Sequence, residues 1–116
     1  MILIIDDYLF LAGGLIAVAW GMAHFFLRRP AVSRFWTVEG LALAIAGAAV
    51  IFTVAQYGTE NTGVRVVTWL AASVTLALGV FNLMNGLKTG ALQARLGGVL
   101  GLVSGALLVA GSIINS

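Results

Sequence analysis

The chain has 116 residues, of which 61% are hydrophobic and 9% are charged, and its mean hydropathy is +1.10. Soluble domains carry about 25% charged residues, so this composition excludes a soluble domain and indicates one membrane domain covering residues 1–116. The lack of cysteine excludes disulfides and thiolate chemistry. The six basic residues are scattered and the net charge is only +2, which argues against nucleic-acid binding.

The first predicted span covers about residues 8–27. A transmembrane helix needs about 20 mostly apolar residues, and this stretch ends at the charged, proline-containing run 28–30. Residues 1–5 form an apolar tail that either lies in the interface or lengthens the helix by a turn. Asp6 and Asp7 stand where a signal peptide carries basic residues, so we expect the first span to be retained.

Three further spans follow in chain order. Span 2 covers about residues 36–57, and the glycine-rich polar run 58–65 after it is a turn signal. Span 3 covers about residues 66–87. Residues 91–96 are a short, weakly polar approach to span 4, which ends near residue 114.

The basic residues predict the orientation of these spans. Arg65 alone lies in the second loop, and the other basic residues lie in the first and third loops. By the positive-inside rule the first and third loops face the cytoplasm, so we predict that both termini lie outside. The residues of the cytoplasmic basic loops are Arg28, Arg29, Arg34, Lys88 and Arg95.

Aromatic residues mark the predicted membrane interfaces. Trp20 lies well inside span 1, and we interpret it as a packing residue. The outer interface residues are Tyr8, Phe10, Tyr57 and Trp69, and the inner ones are Phe25, Phe26, Phe35 and Trp36.

The two halves of the chain share one layout. A shift of 58 residues, half of the length, lays span 1 on span 3 and span 2 on span 4. A two-helix unit returns to the side on which it starts, so the copies would be parallel repeats, unlike inverted transporter repeats. The predicted fold class is an all-α membrane protein with four transmembrane helices, formed by duplication of a two-helix unit. Repeat 1 covers about residues 1–58 and repeat 2 about residues 59–116.

Small residues recur at every fourth position in three of the spans. Such stripes let helix backbones approach closely. They either pack the four-helix bundle or form a face for another subunit or a second copy. The predicted packing faces are Gly13, Ala17 and Gly21 in span 1, Gly97, Gly101 and Gly105 in span 4, and Gly40, Ala44 and Ala48 in span 2.

A candidate buried polar cluster comprises His24, Glu39 and Asn82. His24 continues the small-residue face of span 1, and Asn82 is its counterpart on span 3, so the two would face each other. Glu39 would reach a similar depth one turn into span 2, where the helix dipole also favours an acid. His24 either makes a structural hydrogen bond to Glu39 or Asn82 or belongs to a proton or ion site. As the only histidine, it is a poor candidate for haem or metal ligation.

Catalytic chemistry has little support in this sequence. There is no cysteine, one histidine and no carboxylate pair in mid-membrane. Ser73, Thr75 and Ser104 lack a nearby base, and we expect them to bond to helix backbones or to bridge helices. We therefore expect no enzymatic activity, no catalytic or metal site and no cofactor.

Two stretches carry a resemblance to a known family. Gly79-VFNLMNGL, a short basic loop and Leu96-GGVLGLVSGALLV resemble the two-helix repeat of the HdeD-like family of small bacterial membrane proteins. Trp36-TVEGLALAIAGAAV, after its own basic loop, is similar. That family usually has three such units and this chain has two. The resemblance implies a prokaryotic inner-membrane location and is extended to no function or site.

The functional expectation is a non-enzymatic accessory or stabilising subunit that packs within a larger membrane complex. Its partners would be the lipid bilayer and other membrane subunits or copies of itself. The alternative is a homo-oligomeric channel or transporter for a small ion, with His24, Asn82 and Glu39 along the path. A haem or quinone protein is a third interpretation, which requires a chromophore in the purified sample.

Overall fold

The computed structural model describes residues 5–27, 35–58, 61–90 and 92–115, and the side chains of all these except 5–7 and 115. They form four α-helices: α1 Ile5–Phe26, α2 Trp36–Tyr57, α3 Thr62–Thr89 and α4 Leu92–Asn115. Each contains a stretch long and apolar enough to cross a membrane. The prediction of an all-helical chain with four spans is confirmed, and it indicates a multi-pass membrane protein.

Capping explains why α3 begins earlier than predicted. The Asn61 side-chain oxygen accepts hydrogen bonds from the backbone N–H groups of Gly63, at 2.8 Å, and Val64. These groups have no partner within a helix, so the cap extends α3 by a turn beyond its apolar run. The start of α2 agrees with the sequence, and α1 includes Ile5, whereas residues 1–4 lie outside the described part of the chain.

The turn between α3 and α4 is shorter than predicted. Gly90 adopts the left-handed conformation, with φ of 75°, and its N–H donates to the carbonyl of Gly86 at 2.8 Å. The Arg95 guanidinium donates to the Gly90 carbonyl at 3.1 Å. Residues 92–96, predicted as a weakly polar approach to span 4, are therefore the start of α4 itself.

The helices form a ring in which α1 contacts α2 and α4, and α3 contacts α4 and α2. The bundle measures 45 × 22 × 20 Å. Its length matches a bilayer of about 40–45 Å including the headgroup regions. One core cluster, built around Phe10, Val50 and Leu108, lies toward the second loop, and the other, Trp20, Trp36 and Leu43, lies toward the first.

Backbone contact between helices depends on glycine at two positions 58 residues apart. A Cβ atom added to Gly21 on α1 would lie 2.5 Å from the Ala44 nitrogen and 2.6 Å from the Gly40 oxygen of α2. A Cβ atom added to Gly79 on α3 would lie 2.7 Å from the Leu102 nitrogen and 3.0 Å from the Gly98 oxygen of α4. Both hairpins therefore pack backbone on backbone, through residues at the same offset.

The burial pattern repeats with the same offset of 58 residues. Every buried residue of α2 has a buried counterpart in α4. The pairs are Trp36 and Ala94, Glu39 and Gly97, Gly40 and Gly98, Leu43 and Gly101, Gly47 and Gly105, Val50 and Leu108, and Val54 and Ser112.

Successive residues of one small-residue stripe contact different neighbouring helices. Successive residues are about 100° apart on a helix, so a stripe of every fourth residue rotates by about 40° at each step. Gly13 accordingly packs on α4, whereas Gly21 packs on α2. The stripe in α4 behaves alike, because Gly97 packs on α1 and Gly105 on α3. The same rotation leaves Ala48 exposed, contrary to its predicted packing role.

Two aromatic residues predicted at the interfaces are instead buried. Phe10 is fully buried and its ring packs on Gly111 of α4, while Trp36 is 3% exposed. Each lies on the inward face of its helix, which depth in the membrane alone does not specify. The other predicted interface aromatics, Tyr8, Phe25, Phe26, Phe35, Tyr57 and Trp69, are exposed.

Candidate functional site

His24 lies in the last turn of α1 and is almost completely buried, with 3% of its surface exposed. Its Nδ1 atom is 2.7 Å from the carbonyl oxygen of Trp20, one turn earlier on the same helix. A carbonyl oxygen can only accept a hydrogen bond, so Nδ1 carries a proton and donates it. The orientation of the ring is thereby fixed, and Nε2 points away from α1.

Trp36, the first residue of α2, covers one face of the imidazole. The two rings stack with their centroids 3.8 Å apart and their planes inclined by 27°. The Trp36 indole N–H donates to the His24 backbone carbonyl at 2.9 Å. That carbonyl lies in the last turn of α1, where it has no partner within the helix. One side chain therefore joins the start of α2 to the end of α1.

The Glu39 carboxylate lies near the Nε2 edge of the His24 imidazole. It lies in the first turn of α2, is 4% exposed, and its Oε2 is 4.0 Å from His24 Nε2. This distance is within the range of an ion pair and longer than a hydrogen bond. The positive end of the α2 dipole also favours a negative charge here.

Trp20 covers a further side of the His24 ring and connects this site to α4. Its ring stands edge-on to His24, with centroids 5.3 Å apart, and to Trp36, with centroids 6.2 Å apart. The indole lies against Gly97 of α4, where an added Cβ atom would be 2.8 Å from Trp20 Nε1. Within the described part of the chain this indole N–H has no hydrogen-bond partner.

The structure brings together two of the three predicted polar residues. His24 and Glu39 face each other, whereas Asn82 is buried on α3 without a hydrogen bond to His24. Among the described residues His24 Nδ1 bonds Trp20 and Nε2 has no hydrogen-bond partner. The predicted hydrogen bond from His24 to Asn82 is therefore not formed, and His24 Nε2 lies 4.0 Å from Glu39 Oε2, which is longer than the predicted hydrogen bond.

Sequence reasoning missed the part that Trp20 and Trp36 play in this site. A signal exists in the spacing, since Trp20 and His24 are one turn apart on α1 and Trp36 and Glu39 are about one turn apart on α2. Which residues of the two helices meet depends on the conformation of the first loop, and spacing within each helix does not reveal this.

The remaining predicted residues lie as follows. Arg28, Arg29 and Arg34 fall outside the described residues, while Lys88 and Arg95 are exposed. Ser104 bridges helices, because its hydroxyl donates to the Gly13 carbonyl at 2.7 Å. The hydroxyls of Ser73 and Thr75 donate to carbonyls of their own helix. The predicted packing residues, Gly13, Ala17, Gly21, Gly97, Gly101 and Gly105, are all buried within the bundle.

A second feature is an apolar groove between α2 and α3, with a volume of about 360 Å³. These two helices make the least contact of the four neighbouring pairs. Several lining side chains, such as Ile45 and Leu70, are mostly exposed, so the groove opens outward. It is lined by Ala42, Ile45, Ala46 and Ala49 of α2 and by Val67, Leu70, Ala71 and Val74 of α3.

No protein-family model, no curated protein and no solved structure matches the chain. The resemblance to the HdeD-like family therefore stays a prediction. Among the described residues there is no group of three or more histidine, cysteine or acidic side chains that could hold a metal ion.

Proposed function

We propose that this chain is a non-enzymatic accessory or stabilising subunit of a larger membrane complex, and that a transmembrane helix of another subunit docks in the α2–α3 groove. The observation that carries the proposal is the groove itself. Its α2 wall presents Ala42, Ala46 and Ala49, which lie on one helical face. Small side chains beside an open groove let a further helix insert larger apolar side chains between α2 and α3.

The chemistry of the membrane explains why such a groove suits a protein partner. Lipid tails are as apolar as leucine, so helices associate in a bilayer chiefly through close packing. The glycine faces of α1 and α4 are used inside the bundle and cannot meet a partner. The α2–α3 groove combines small side chains with an opening between two helices, so it offers a partner helix a close approach.

We further propose that the chain arose by duplication of a two-helix unit, giving two parallel repeats. The matching glycine contacts and the matching burial of α2 and α4, both at an offset of 58 residues, support this proposal. Both termini would lie outside and the basic loops in the cytoplasm, as the distribution of Lys and Arg predicts. A prokaryotic inner membrane is the proposed location.

The test compares two tryptophan substitutions on α2, both introduced in the full chain. Ala46→Trp fills the groove, whereas Ala48→Trp places the same side chain on the exposed side of α2, two residues away. Native mass spectrometry of protein purified from its own membranes in mild detergent records what stays bound. We expect partner polypeptides with the wild type and with Ala48→Trp, and their loss with Ala46→Trp.

Two results would contradict the proposal. Equal retention of partners by both variants would show that the groove is not the docking site. Detection of nothing but multiples of the 12.0 kDa chain in the wild type would favour self-assembly instead.

The alternative, a homo-oligomeric channel or transporter for a small ion, has the buried His24–Glu39 pair in its favour. Against it, Trp20, Trp36 and Leu43 fill the same end of the bundle, and the hydroxyls of Thr75 and Ser104 are engaged by backbone carbonyls. An ion path would therefore have to run between copies. Ion flux in liposomes that is lost in Glu39→Gln would support this alternative.

A further inference from the structure

We propose that the helix which docks in the α2–α3 groove carries two large aliphatic side chains, such as leucine, seven residues apart, with a small residue between them. This inference rests on the proposed function, because it describes the partner that the groove accepts. The partner segment spans the membrane, because Ala42 to Ala49 lie in the middle of α2, at the depth of the hydrocarbon core.

The α1–α4 interface shows how the same crossing of helices is filled within this chain. Gly13 of α1 lies against the Ser104 backbone of α4. At the positions 58 residues away, Ala71 of α3 belongs to a core cluster against which Ala46 of α2 packs, and both residues line the groove. Corresponding residues therefore occupy matching places in the two interfaces. Comparison of the closed interface with the open one reveals what the groove lacks.

The walls that α1 and α3 contribute have the same order of side-chain sizes. Leu70 is mostly exposed and is left out of this comparison. In each wall a small residue stands between two branched aliphatic residues. On α3 these residues are Val67, Ala71 and Val74, and the corresponding residues of α1 are Leu9, Gly13 and Ile16. The groove therefore does not result from this wall.

The walls that α2 and α4 contribute differ in size. Ile45 of α2 is mostly exposed, so the inner part of its wall consists of Ala42, Ala46 and Ala49. The corresponding residues of α4 are Leu100, Ser104 and Leu107, and Leu100 packs against the cluster of Trp20, Trp36 and Leu43. A small residue between two leucines thus closes the α1–α4 interface. The groove lacks two groups of leucine size, one beside Ala42 and one beside Ala49.

The spacing of these two positions suits a single helix. Ala42 and Ala49 are seven residues apart, which is about two turns and about 10.5 Å along α2. A helix that runs along the groove presents its residues i and i+7 on one face, with i+3 or i+4 between them. The middle residue faces Ala46 and has to be small, because it determines how closely the backbones approach. The pattern is the same for a parallel and an antiparallel partner.

The lining of the groove also specifies an apolar docking face. All eight lining residues are alanine, valine, isoleucine or leucine, so no side chain of the lining donates or accepts a hydrogen bond. A polar side chain of the partner would be buried there without a hydrogen bond from the lining, which is costly. The groove therefore selects its partner by the size and spacing of apolar side chains.

The test uses synthetic transmembrane peptides of about 20 residues as probes. Both peptides contain alanine and valine with lysine at the ends, have the same composition, and carry two leucines. In the first peptide the leucines are seven residues apart with alanine between them on the same face. In the second they are nine residues apart, which places them on opposite faces. Binding to the full chain in lipid vesicles is measured by energy transfer from its three tryptophans to a dansyl group on the peptide.

We expect the first peptide to bind the wild-type chain about tenfold more tightly than the second, because a missing apolar group in a packed site weakens binding by about that factor or more. The double variant Ala42→Leu/Ala49→Leu gives α2 the leucines of α4. It should lower the affinity for the first peptide to that for the second. The matched control is Ala48→Leu/Ala55→Leu, which changes two alanines seven residues apart on the exposed side of α2 and should leave both affinities unchanged.

Three results would overturn this inference. Equal affinity of the two peptides for the wild type would show that the spacing is not recognised. Energy transfer no higher than random mixing in the bilayer predicts, with either peptide, would show that lipid fills the groove. Undiminished binding to Ala42→Leu/Ala49→Leu would place the peptide on another surface. The comparison of the two peptides needs the wild type alone, so it remains decisive if that variant does not fold.

These measurements fail independently of those that test the proposed function. Natural partners that are lost in Ala46→Trp, together with equal binding of the two peptides, would support the proposed function and overturn the leucine pattern. Preference for the first peptide, with no natural partner polypeptide in native mass spectrometry, would support the pattern and overturn the proposed function.

Discussion

The two interfaces at which the hairpins meet differ in closeness, although the helices that form them correspond at an offset of 58 residues. α1 packs against α4 and α3 packs against α2, and the first pair is in closer contact than the second. At the α1–α4 interface Trp20 lies on Gly97, Phe10 lies on Gly111, and Ser104 bonds across to α1. At the α2–α3 interface the corresponding region contains the open groove.

Side-chain size accounts for this difference. On α2 the groove is lined by Ala42, Ala46 and Ala49, and by Ile45, whose side chain is mostly exposed. The residues 58 positions after the three alanines, on α4, are Leu100, Ser104 and Leu107. Two leucines and a bridging hydroxyl therefore stand where α2 has three alanines. The two hairpins thus have similar backbone contacts, but one interface between them is closed and the other is open. The reason is that packing in a bilayer depends on the side chains that fill the contact.

The largest expected effect concerns the tryptophan that closes the α1–α4 interface. Trp20→Ala removes a nearly buried ring between α1 and α4, and we expect it to lower the free energy of unfolding by about 3–5 kcal/mol. Its counterpart on α3, Leu78, is partly buried, so Leu78→Ala should cost about 2 kcal/mol. The measurement is unfolding by SDS titration in mixed micelles.

A conservative variant controls for the indole N–H of Trp20. Trp20→Phe keeps an aromatic ring and removes a buried donor that has no partner in the described part of the chain, so its loss of stability should be well below that of Trp20→Ala. Equal losses for Trp20→Ala and Leu78→Ala would mean that the two interfaces do not differ in the way described.

Substitution of a small residue by leucine should destabilise the closed α1–α4 interface more than the open α2–α3 interface. A Cβ atom at Gly13 would already lie 3.0 Å from Leu108 and from the Ser104 backbone oxygen. We therefore expect Gly13→Leu to destabilise the bundle by about 1–3 kcal/mol through overpacking. Ala49→Leu extends into the groove instead, and should change the stability by less than about 0.5 kcal/mol.

The same SDS titration reads both leucine variants, and Ala19→Leu, on the exposed side of α1, is the matched control. A loss for Ala49→Leu as large as that for Gly13→Leu would show that the groove closes in the membrane.

The sequence predicted the number, type and approximate bounds of the helices, because hydropathy over about 20 residues is a strong signal. It was less informative about the faces of each helix. A stripe of every fourth residue was interpreted as one face, but Gly13 and Gly21 contact different helices. The helical rotation of about 100° per residue predicts this drift, although the identity of each neighbouring helix is known only from the packed bundle.

The candidate site was predicted in part for a related reason. His24 and Glu39 are polar residues in an apolar background, so their burial and pairing could be anticipated from the cost of isolated charge in a membrane. Trp36 was placed at the interface because aromatic residues concentrate there. Its stacking on His24 depends on how the first loop returns the chain, and no local pattern in the sequence encodes that geometry.

The smallest expected effect concerns the hydrogen bond that crosses between the hairpins. Ser104→Ala removes the bond from its hydroxyl to the Gly13 carbonyl, which measures 2.7 Å. Hydrogen bonds between membrane helices contribute about 0.6 kcal/mol on average and up to about 1.7 kcal/mol, and we expect a loss in this range in the same SDS titration.

The reciprocal change, Ala46→Ser, places a hydroxyl at the equivalent position beside the open groove. It should add less than about 0.5 kcal/mol, because α2 lies less close to α3 and the new hydroxyl can bond to its own helix instead. A gain from Ala46→Ser as large as the loss from Ser104→Ala would mean that a single hydroxyl, and not the size of the neighbouring side chains, separates the closed interface from the open one.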